Sequence, residues 1–434
     1  MRRYTMSQHC KSDLLLGCIA DDFTGATDAA SFLTRGNMRT LLLTEVPTHV
    51  PPAIADNYDA IVIAQKTRTA PVDSAVAEAA NAFTWLRSLG TKHFYFKYCS
   101  TFDSTPQGNI GPILDCLLEK IPQKFSIVCP ALPVNKRIVK NGRLLVDNIE
   151  LHHTHMKDHP LTPMWDSDLC RLMEPQSKYR CFYLNHEALA RSIDSIEEQI
   201  NDYGKGEEHF YLAVDYFTDE HADKIIELFG DLPLLSGGSG LLEPWARHLV
   251  PHALAKTPSA TSSAARYGGL LLAGSCSIIT LEQISHFIAQ GGLAKKIDPA
   301  ALLAGTQDAS SLWQFVLGNK DRPVLIYSSD TGDNVRRYQE AGKERVSAIL
   351  ESTMATLGRL AADANFAYLV VAGGETSGAV LQALNEYAYD IGDSLAPGVP
   401  IILPQHHAGF KLALKSGNFG APDFFTTTIA KLNS

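Results

Sequence analysis

Short, almost continuous apolar runs alternate along this chain with longer stretches of helical spacing. In the first half the runs are Leu14–Ala20, Thr40–Leu43, Ala60–Ala64, His93–Tyr98, Phe125–Cys129, Phe210–Val214 and Leu232–Leu235. Apolar runs this short suit strands covered on both faces, as in a parallel sheet. Val72–Leu89 and Glu187–Asn201 carry the pattern of helices between them. Such alternation predicts a parallel sheet with helices on both faces. One interruption reads as a hairpin. Ile138–Lys140 and Arg143–Val146 flank Asn141-Gly142, the pair that best tolerates a type I′ turn.

The pattern breaks at His252–Arg266, which is Ala, Ser, Thr and Pro with almost no large apolar residue. That is linker chemistry. A second alternation follows, with strands expected at Gly269–Ala273, Val324–Tyr327, Tyr368–Ala372 and Ile401–Leu403 and helices at Leu281–Gln290 and Asn334–Leu357. The expected fold class is therefore α/β: two α/β domains with mainly parallel sheets, residues 1–250 and 268–434, joined by a linker over 251–267. No internal repeat at a solenoid period is visible. Ligands of open sheets bind at the carboxyl ends of strands, and clefts between domains are favoured pockets, so the active site is expected in the interdomain cleft.

Composition narrows the function. The chain has 434 residues, 45% of them hydrophobic, enough for buried cores and too many for a mostly disordered chain. Lys plus Arg is 38 and Asp plus Glu is 47, giving a net charge of −9. That balance excludes a nucleic-acid or anionic-membrane surface but not a small anion in a locally positive pocket. The run Leu14–Ala20 falls far short of the ~20 residues a membrane span needs, and Met1–Ser12 is polar. Eight Cys are scattered without a C-x-x-C pair, the usage of free thiols in a reduced cytoplasm. The sequence leaves the oligomeric state, including a homo-oligomer, open.

The candidate chemistry sits where strands end. The first strand runs into Asp21-Asp22-Phe23-Thr24-Gly25. A helix N-cap accounts for one carboxylate, not two. The pair could hold a metal, accept a proton from a substrate hydroxyl or hydrogen-bond a polyol. After His93–Tyr98 comes a loop dense in hydroxyls, with Lys97 before it and Asp103, Ser104 and Thr105 within it. It suits a small, many-hydroxyl ligand, although a capped loop opened by Pro106 is the plainer reading. Arg68 follows a third strand, and its planar fork could clamp a carboxylate. His152, His153, His155 and His159 crowd one segment, but their spacing matches no familiar zinc pattern and no metal site is assigned. His159 opens a stiff, proline-bounded stretch that reads as a binding loop.

The second half carries three glycine-rich turns: Gly274–Ser277, Gly373–Gly378 and Ser416–Gly420. Glycine lets a backbone approach a ligand closely, and a helix N-terminus offers unpaired N–H groups to an anion. Three such turns favour a nucleotide. There is no P-loop motif, and Gly237–Leu241 completes neither a dinucleotide fingerprint nor a hydrolase elbow. An acidic, hydroxyl-rich first domain facing a phosphate-cradling second domain suggests a phosphotransferase acting on a small hydroxylated substrate.

Six ordered motifs together resemble the four-carbon acid sugar kinase family: ADDFTGA (Ala20–Ala26), DST..GN (Asp103–Asn109), GGSGL (Gly237–Leu241), GSCS (Gly274–Ser277) with Gln283 downstream, GGETSGAV (Gly373–Val380) and KSGNFG (Lys415–Gly420). Within that family, Lys97–Pro112 and Met156–Leu169 look like the oxo-tetronate branch. Many relatives carry DST-Leu-Arg-Gly where this chain has Asp103-Ser104-Thr105-Pro106-Gln107-Gly108, so a threonate or erythronate specificity transfers less safely. The resemblance implies an N-terminal sugar-acid-binding domain, a C-terminal nucleotide-binding domain and ATP-dependent phosphorylation of the C4 hydroxyl of a 3-oxo-tetronate. It implies ATP contacts at Ser275, Ser277, Gly374, Glu375, Thr376, Ser377 and Gly417. Mg²⁺ would neutralise phosphate charge. Asp22 or Asp21 would orient and deprotonate the hydroxyl, while Arg68, Lys97, Asp103, Ser104, Thr105 and His159 would hold the acid. Two rivals remain at this level: an NAD-dependent sugar-acid dehydrogenase, which lacks its fingerprint here, and a non-catalytic sugar-acid sensor, which would need no phosphate cradle.

Overall fold

A computed structural model of the chain describes residues 14–48, 57–159, 162–250, 267–332, 334 and 342–433. The expected linker lies outside these residues except for Tyr267, as do Met1–Ser12, Pro160, Leu161 and residues 335–341 of the helix expected from Asn334.

The strands, in chain order, begin with β1 (Leu16–Ala20), β2 (Thr40–Leu43), β3 (Ala60–Ala64), β4 (His93–Lys97), β5 (Phe125–Val128) and β6 (Arg137–Lys140). Then come β7 (Arg143–Val146), β8 (Ile149–Glu150), β9 (Arg180–Leu184), β10 (Phe210–Val214) and β11 (Leu234–Gly237). The second half holds β12 (Leu270–Ala273), β13 (Leu293–Lys296), β14 (Val324–Tyr327), β15 (Tyr368–Ala372), β16 (Ala388–Ala396), β17 (Val399–Pro404) and β18 (Lys411–Lys415).

Among the described residues, one 12-stranded sheet runs β11-β4-β1-β3-β2-β16-β17-β18-β15-β12-β14-β13. Its first five strands are mutually parallel, and so are its last five. The hairpin β16–β17 joins the two parallel halves through antiparallel ladders, to β2 on one side and β18 on the other. Register shifts between Ile391 and Ser394 and between Ser394 and Ala396 bend the hairpin, as bulges do. The sequence predicts mainly parallel sheets in two α/β domains, and both parallel units are present. The seam uniting them is an addition, because DIGDSLA in β16 lacks an apolar strand pattern.

Strand order reverses at β1 in the first half, which has β3 and β4 as neighbours. It reverses at β12 in the second, between β15 and β14. These are the switch points where open α/β sheets bind ligands. Two smaller sheets complete the first half: parallel β5-β10-β9 and antiparallel β6-β7-β8. The Asn141-Gly142 turn between β6 and β7 forms as expected, with φ of 52° and 71°.

The sheet is buried on both faces. In β12, Leu270 and Leu272 join the larger core that spans both halves, while Leu271 and Ala273 face a second cluster with Phe424 and Phe425. The helix expected over Glu187–Asn201 is two helices, His186–Leu189 and Ile193–Tyr203, because Asn185 and Ser192 each cap a separate start. The helix expected over Asn334–Leu357 is described as Lys343–Asp363 and follows Gly342 at φ 105°. Strands β9, β13 and β18 escape the sequence pattern because Arg or Lys at their ends leaves only short apolar runs.

Candidate active site

The carboxyl end of β1 delivers two acids with different surroundings. Asp22 caps the helix Phe23–Arg35: one oxygen accepts from the Gly25 N–H at 2.9 Å, the other from the Thr24 hydroxyl at 2.7 Å. Asp21 is buried beside it. The loop after β3 brings Arg68 to both. Its Nε and Nη2 donate to the two Asp21 oxygens at 2.8 Å each, and Nη2 also reaches Asp22 at 2.7 Å. Its Nη1 faces Asp103 at 3.8 Å.

The backbone fastens this arrangement. The N–H groups of Thr67 and Arg68 donate to the Asp21 carbonyl at 3.1 and 3.2 Å. From the loop after β4, the Asn109 amide donates to the carbonyls of Thr67 at 2.6 Å and Ala70 at 2.8 Å. Asp21, Thr67, Arg68, Asp103, Ser104 and Asn109 thus line one small recess floored by Phe96, Ile110 and Ile113.

Electrostatics separates the two carboxylates. Burial pushes Asp21 above its ordinary range although Arg68 opposes the shift. Burial also acts on Asp22, but the charges of Arg68 and Lys97 and the bonds from Thr24 and Gly25 outweigh it and hold Asp22 low. Burial disfavours the charged form of Arg68, yet the two acids raise its pKa and keep it a cation. Lys97 is buried at the end of β4, with Nζ donating to the Tyr98 carbonyl at 2.8 Å.

The remaining expected residues divide. Ser104 is buried in the recess and donates to Gln176 Oε1 at 3.0 Å. Thr105 lies one position on and accepts from the Gln107 N–H at 3.3 Å. His159 is tied to Thr162, whose hydroxyl lies 2.8 Å from Nδ1, and does not line the recess. Upstream, Glu150, His152 and His153 approach one another, but Glu150 is held by Arg143 at 3.0 Å and His152 by Ser167 at 2.7 Å.

In the second half the three glycine turns converge. The N–H groups of Gly274 and Ser275 both donate to the Ala372 carbonyl, at 2.9 and 3.2 Å. Ser275 Oγ accepts from the Ser277 N–H at 3.2 Å, and Ser277 caps the helix Ile278–Ala289. Ser277 Oγ donates to the Gly417 carbonyl at 2.7 Å. A side chain at Gly417 would run into Ser275 Oγ, and one at Gly373, whose φ is 129°, would crowd the Ser275 N–H. Gly374 opens the helix Gly374–Ala383, where Thr376 and Ser377 are buried and Glu375 is exposed.

Two residues within the quoted motifs prove structural. Lys415 is fully buried and donates to Thr280 Oγ1, Ser416 O and Gly417 O at 3.0 to 3.1 Å. Burial pushes its pKa down from 10.5 to about 7. The Gln283 amide clamps the carbonyls of Phe419, Gly420 and Ala421 at 3.0 to 3.1 Å. Asn109, Lys415 and Gln283 were visible as motif letters, but their partners are set by the fold.

The acid loop and the glycine turns face each other. Lys66, after β3, lies 3.3 Å from Glu375. Phe23 lies against Gly378, where a side chain would crowd its ring.

This geometry has relatives. A sugar-binding N-terminal domain family matches residues 16–245, and a nucleotide-binding C-terminal domain family matches 270–425. A 3-oxo-tetronate kinase of Cupriavidus necator is 41% identical over 96% of this chain and 97% of its own. A 3-oxo-tetronate kinase of Pseudomonas savastanoi is 40% identical, again over 96% and 97%. The chain belongs to the four-carbon acid sugar kinase family. The shared fold extends to crystal structures. A Salmonella typhimurium LT2 protein, described there as a tRNA synthase, matches with a TM-score of 0.83 at 37% identity, covering 96% of this chain and 98% of that one. A Haemophilus influenzae protein matches with a TM-score of 0.74 at 35% identity, covering 96% and 100%. As a member of the four-carbon acid sugar kinases, the chain places its acid loop and its glycine turns in the two matched domains respectively. Among the described residues no helix is long and apolar enough to cross a membrane.

Proposed function

We propose that this chain is an ATP-dependent 3-oxo-tetronate kinase that phosphorylates the C4 hydroxyl of its four-carbon acid, giving 3-oxo-tetronate 4-phosphate and ADP. The full-length similarity to 3-oxo-tetronate kinases supports the substrate. The observation that carries the reaction is the approach of the two halves beside these loops, with Lys66 after β3 lying 3.3 Å from Glu375 after β15 and Phe23 of the acid loop lying against Gly378. The domain division follows: a sugar-acid domain to residue 250, a linker over 251–267 and a nucleotide domain from 268. Free thiols at every described cysteine support a reducing, cytoplasmic setting.

In this reading Asp22 is the base. Its side chain is 22% exposed against 4% for Asp21, and it stays ionised. Asp21 is spent on Arg68 and positions it. Arg68 keeps Nη1 toward the recess, where it, Asp103 and Ser104 hold the acid, with the charge of Lys97 beneath. Thr105 belongs to the same loop; His159, bound to Thr162, is left outside the proposal.

Ser275, Ser277, Gly374, Glu375, Thr376, Ser377 and Gly417 form the proposed nucleotide cradle. The N–H groups at the start of the helix Gly374–Ala383, which has no side-chain cap, would receive phosphate. Mg²⁺, when bound, neutralises phosphate charge. Glu375, exposed at the start of the glycine-turn helix, would be the carboxylate that helps hold it. Phosphoryl transfer then needs mainly positioning and charge stabilisation, which these fixed dipoles give.

The test is ADP release from ATP and Mg²⁺ with 3-oxo-tetronate, threonate or erythronate. Release with 3-oxo-tetronate well above the other two supports the reading, and none above background with any acid rejects it.

A further inference from the structure

We propose that Arg137 is the cation that contacts the phosphoryl group during its transfer, an inference that rests on the kinase reading above. Arg137 is the first residue of β6, on a rigid base. Its N–H and C=O both bond Leu132, at 3.2 and 2.8 Å, and two positions on Val139 exchanges backbone bonds with Tyr216 at 3.0 and 2.9 Å. Its Nη1 donates to the Asn135 carbonyl at 2.7 Å, which fixes the side chain. The guanidinium then lies over the Phe419 ring, 5.8 Å from its centroid. Phe419 belongs to the turn that Gln283 and Lys415 clamp, next to Gly417. A cation from the sugar-acid half therefore sits on the nucleotide loop of the other half.

Its bonding is incomplete. Nε is buried and has no hydrogen-bond partner, a costly state for a charged donor. Among the described residues no carboxylate comes within ion-pair distance of it, whereas Arg68 is engaged by both Asp21 and Asp22. Burial lowers its pKa, and the groups that oppose this, Cys99 first and then Asp147, Asp28 and Asp103, only partly offset it. Asp28 is itself bonded to Ser239. A planar cation with an unpaired donor, seated on the nucleotide loop and within reach of the charge of Asp103 from the β4 loop, fits an anion passed between the two halves. The phosphoryl group in transfer is that anion. In the step, the C4 oxygen forms its bond to the γ-phosphorus while the bridging P–O bond breaks. The electron pair leaves on ADP, the hydroxyl proton goes to Asp22, and Arg137 forms no covalent bond.

Steady-state kinetics of Arg137→Met and Arg137→Lys tests this. In Arg137→Met, kcat is expected to fall at least ~100-fold, with KM for ATP and for the acid within about threefold. Added guanidinium ion should restore several-fold activity, which a packing role would not allow. The ATP-induced rise in Tm should match wild type. Arg137→Gln, which can keep the Asn135 bond, replaces the Met variant if that one unfolds. A rise of about tenfold in the acid's KM at retained kcat would make Arg137 a carboxylate anchor and overturn the proposal. Unchanged kinetics, or a kcat loss without guanidinium rescue, also overturns it. If the wild type itself releases no ADP, the kinase reading fails first.

Discussion

Asp21 and Asp22 are neighbours in sequence, yet one substitution tests chemistry and the other tests structure. Asp22→Asn keeps a good N-cap but removes one of the two carboxylates on Arg68, so Tm should fall modestly, less than in Asp21→Asn, while kcat falls by about 10²–10⁴, the usual worth of a general base. Asp21→Asn removes the fork partner of a half-buried arginine. It is expected to lower stability by up to about 3–5 kcal/mol in urea titrations, along with activity. Normal turnover in Asp22→Asn would remove it as the base. Lys415 gives a second test. Below pH ~7 its ammonium is present folded and unfolded, and burying it costs stability. Between about 7 and 10 the folded chain has released the proton and the unfolded chain has not, so stability rises through that window. Relative to Lys415→Met, wild type should gain stability from pH 7 to pH 10 in urea titrations. A flat difference would mean that the three oxygens around Nζ keep it charged. At this scale the sequence displayed the acids and the motif glycines. It could not display that Arg68, 47 positions from Asp21, would spend its fork on them.

At the scale of elements, legibility followed local rules. The Asn141-Gly142 turn was readable because its backbone demand is local: both residues take positive φ. What anchors it is not local. The N–H groups of Asn141 and Gly142 both donate to the buried Asp215 at 2.8 Å, and Tyr183 packs where a Gly142 side chain would go. Gly142→Ala should therefore cost more than the ~1 kcal/mol of a simple left-handed substitution. Because this hairpin carries Arg137, it should also lower kcat; thermal melts and kinetics on the same preparation check both, and an unchanged Tm would refute the account. The hairpin β16–β17 was less legible. Only Ile401–Leu403 stood out, because β16 alternates buried and half-exposed positions irregularly across its bulges. Its pairing with β2 depends on residues more than 300 positions away.

The whole molecule is where that seam matters. Two domains matched by separate families share one sheet, and the bonds across β2 and β16 are not confined to the ladder. The Thr44 N–H and hydroxyl reach the carbonyls of Tyr387 and Glu386 at 3.0 and 3.2 Å. Tyr58 donates to Asp390 at 2.7 Å and accepts from Gln405 at 2.9 Å. The larger core also runs through both halves. Separating the halves would expose a strand edge on each side and open that core, so they should unfold together. ATP at ~100 times its Kd, bound only to the folded state, adds about 2.7 kcal/mol to global unfolding. If the seam couples the halves, hydrogen exchange of the Leu16–Ala20 amides in β1 should slow on ATP addition as much as that of Tyr368–Ala372 in β15. Protection confined to the second half would show that the shared sheet does not bind the two units into one cooperative body. The same coupling would let nucleotide binding steady the acid loop at β1 before the acid arrives, without a direct contact between ATP and Asp22.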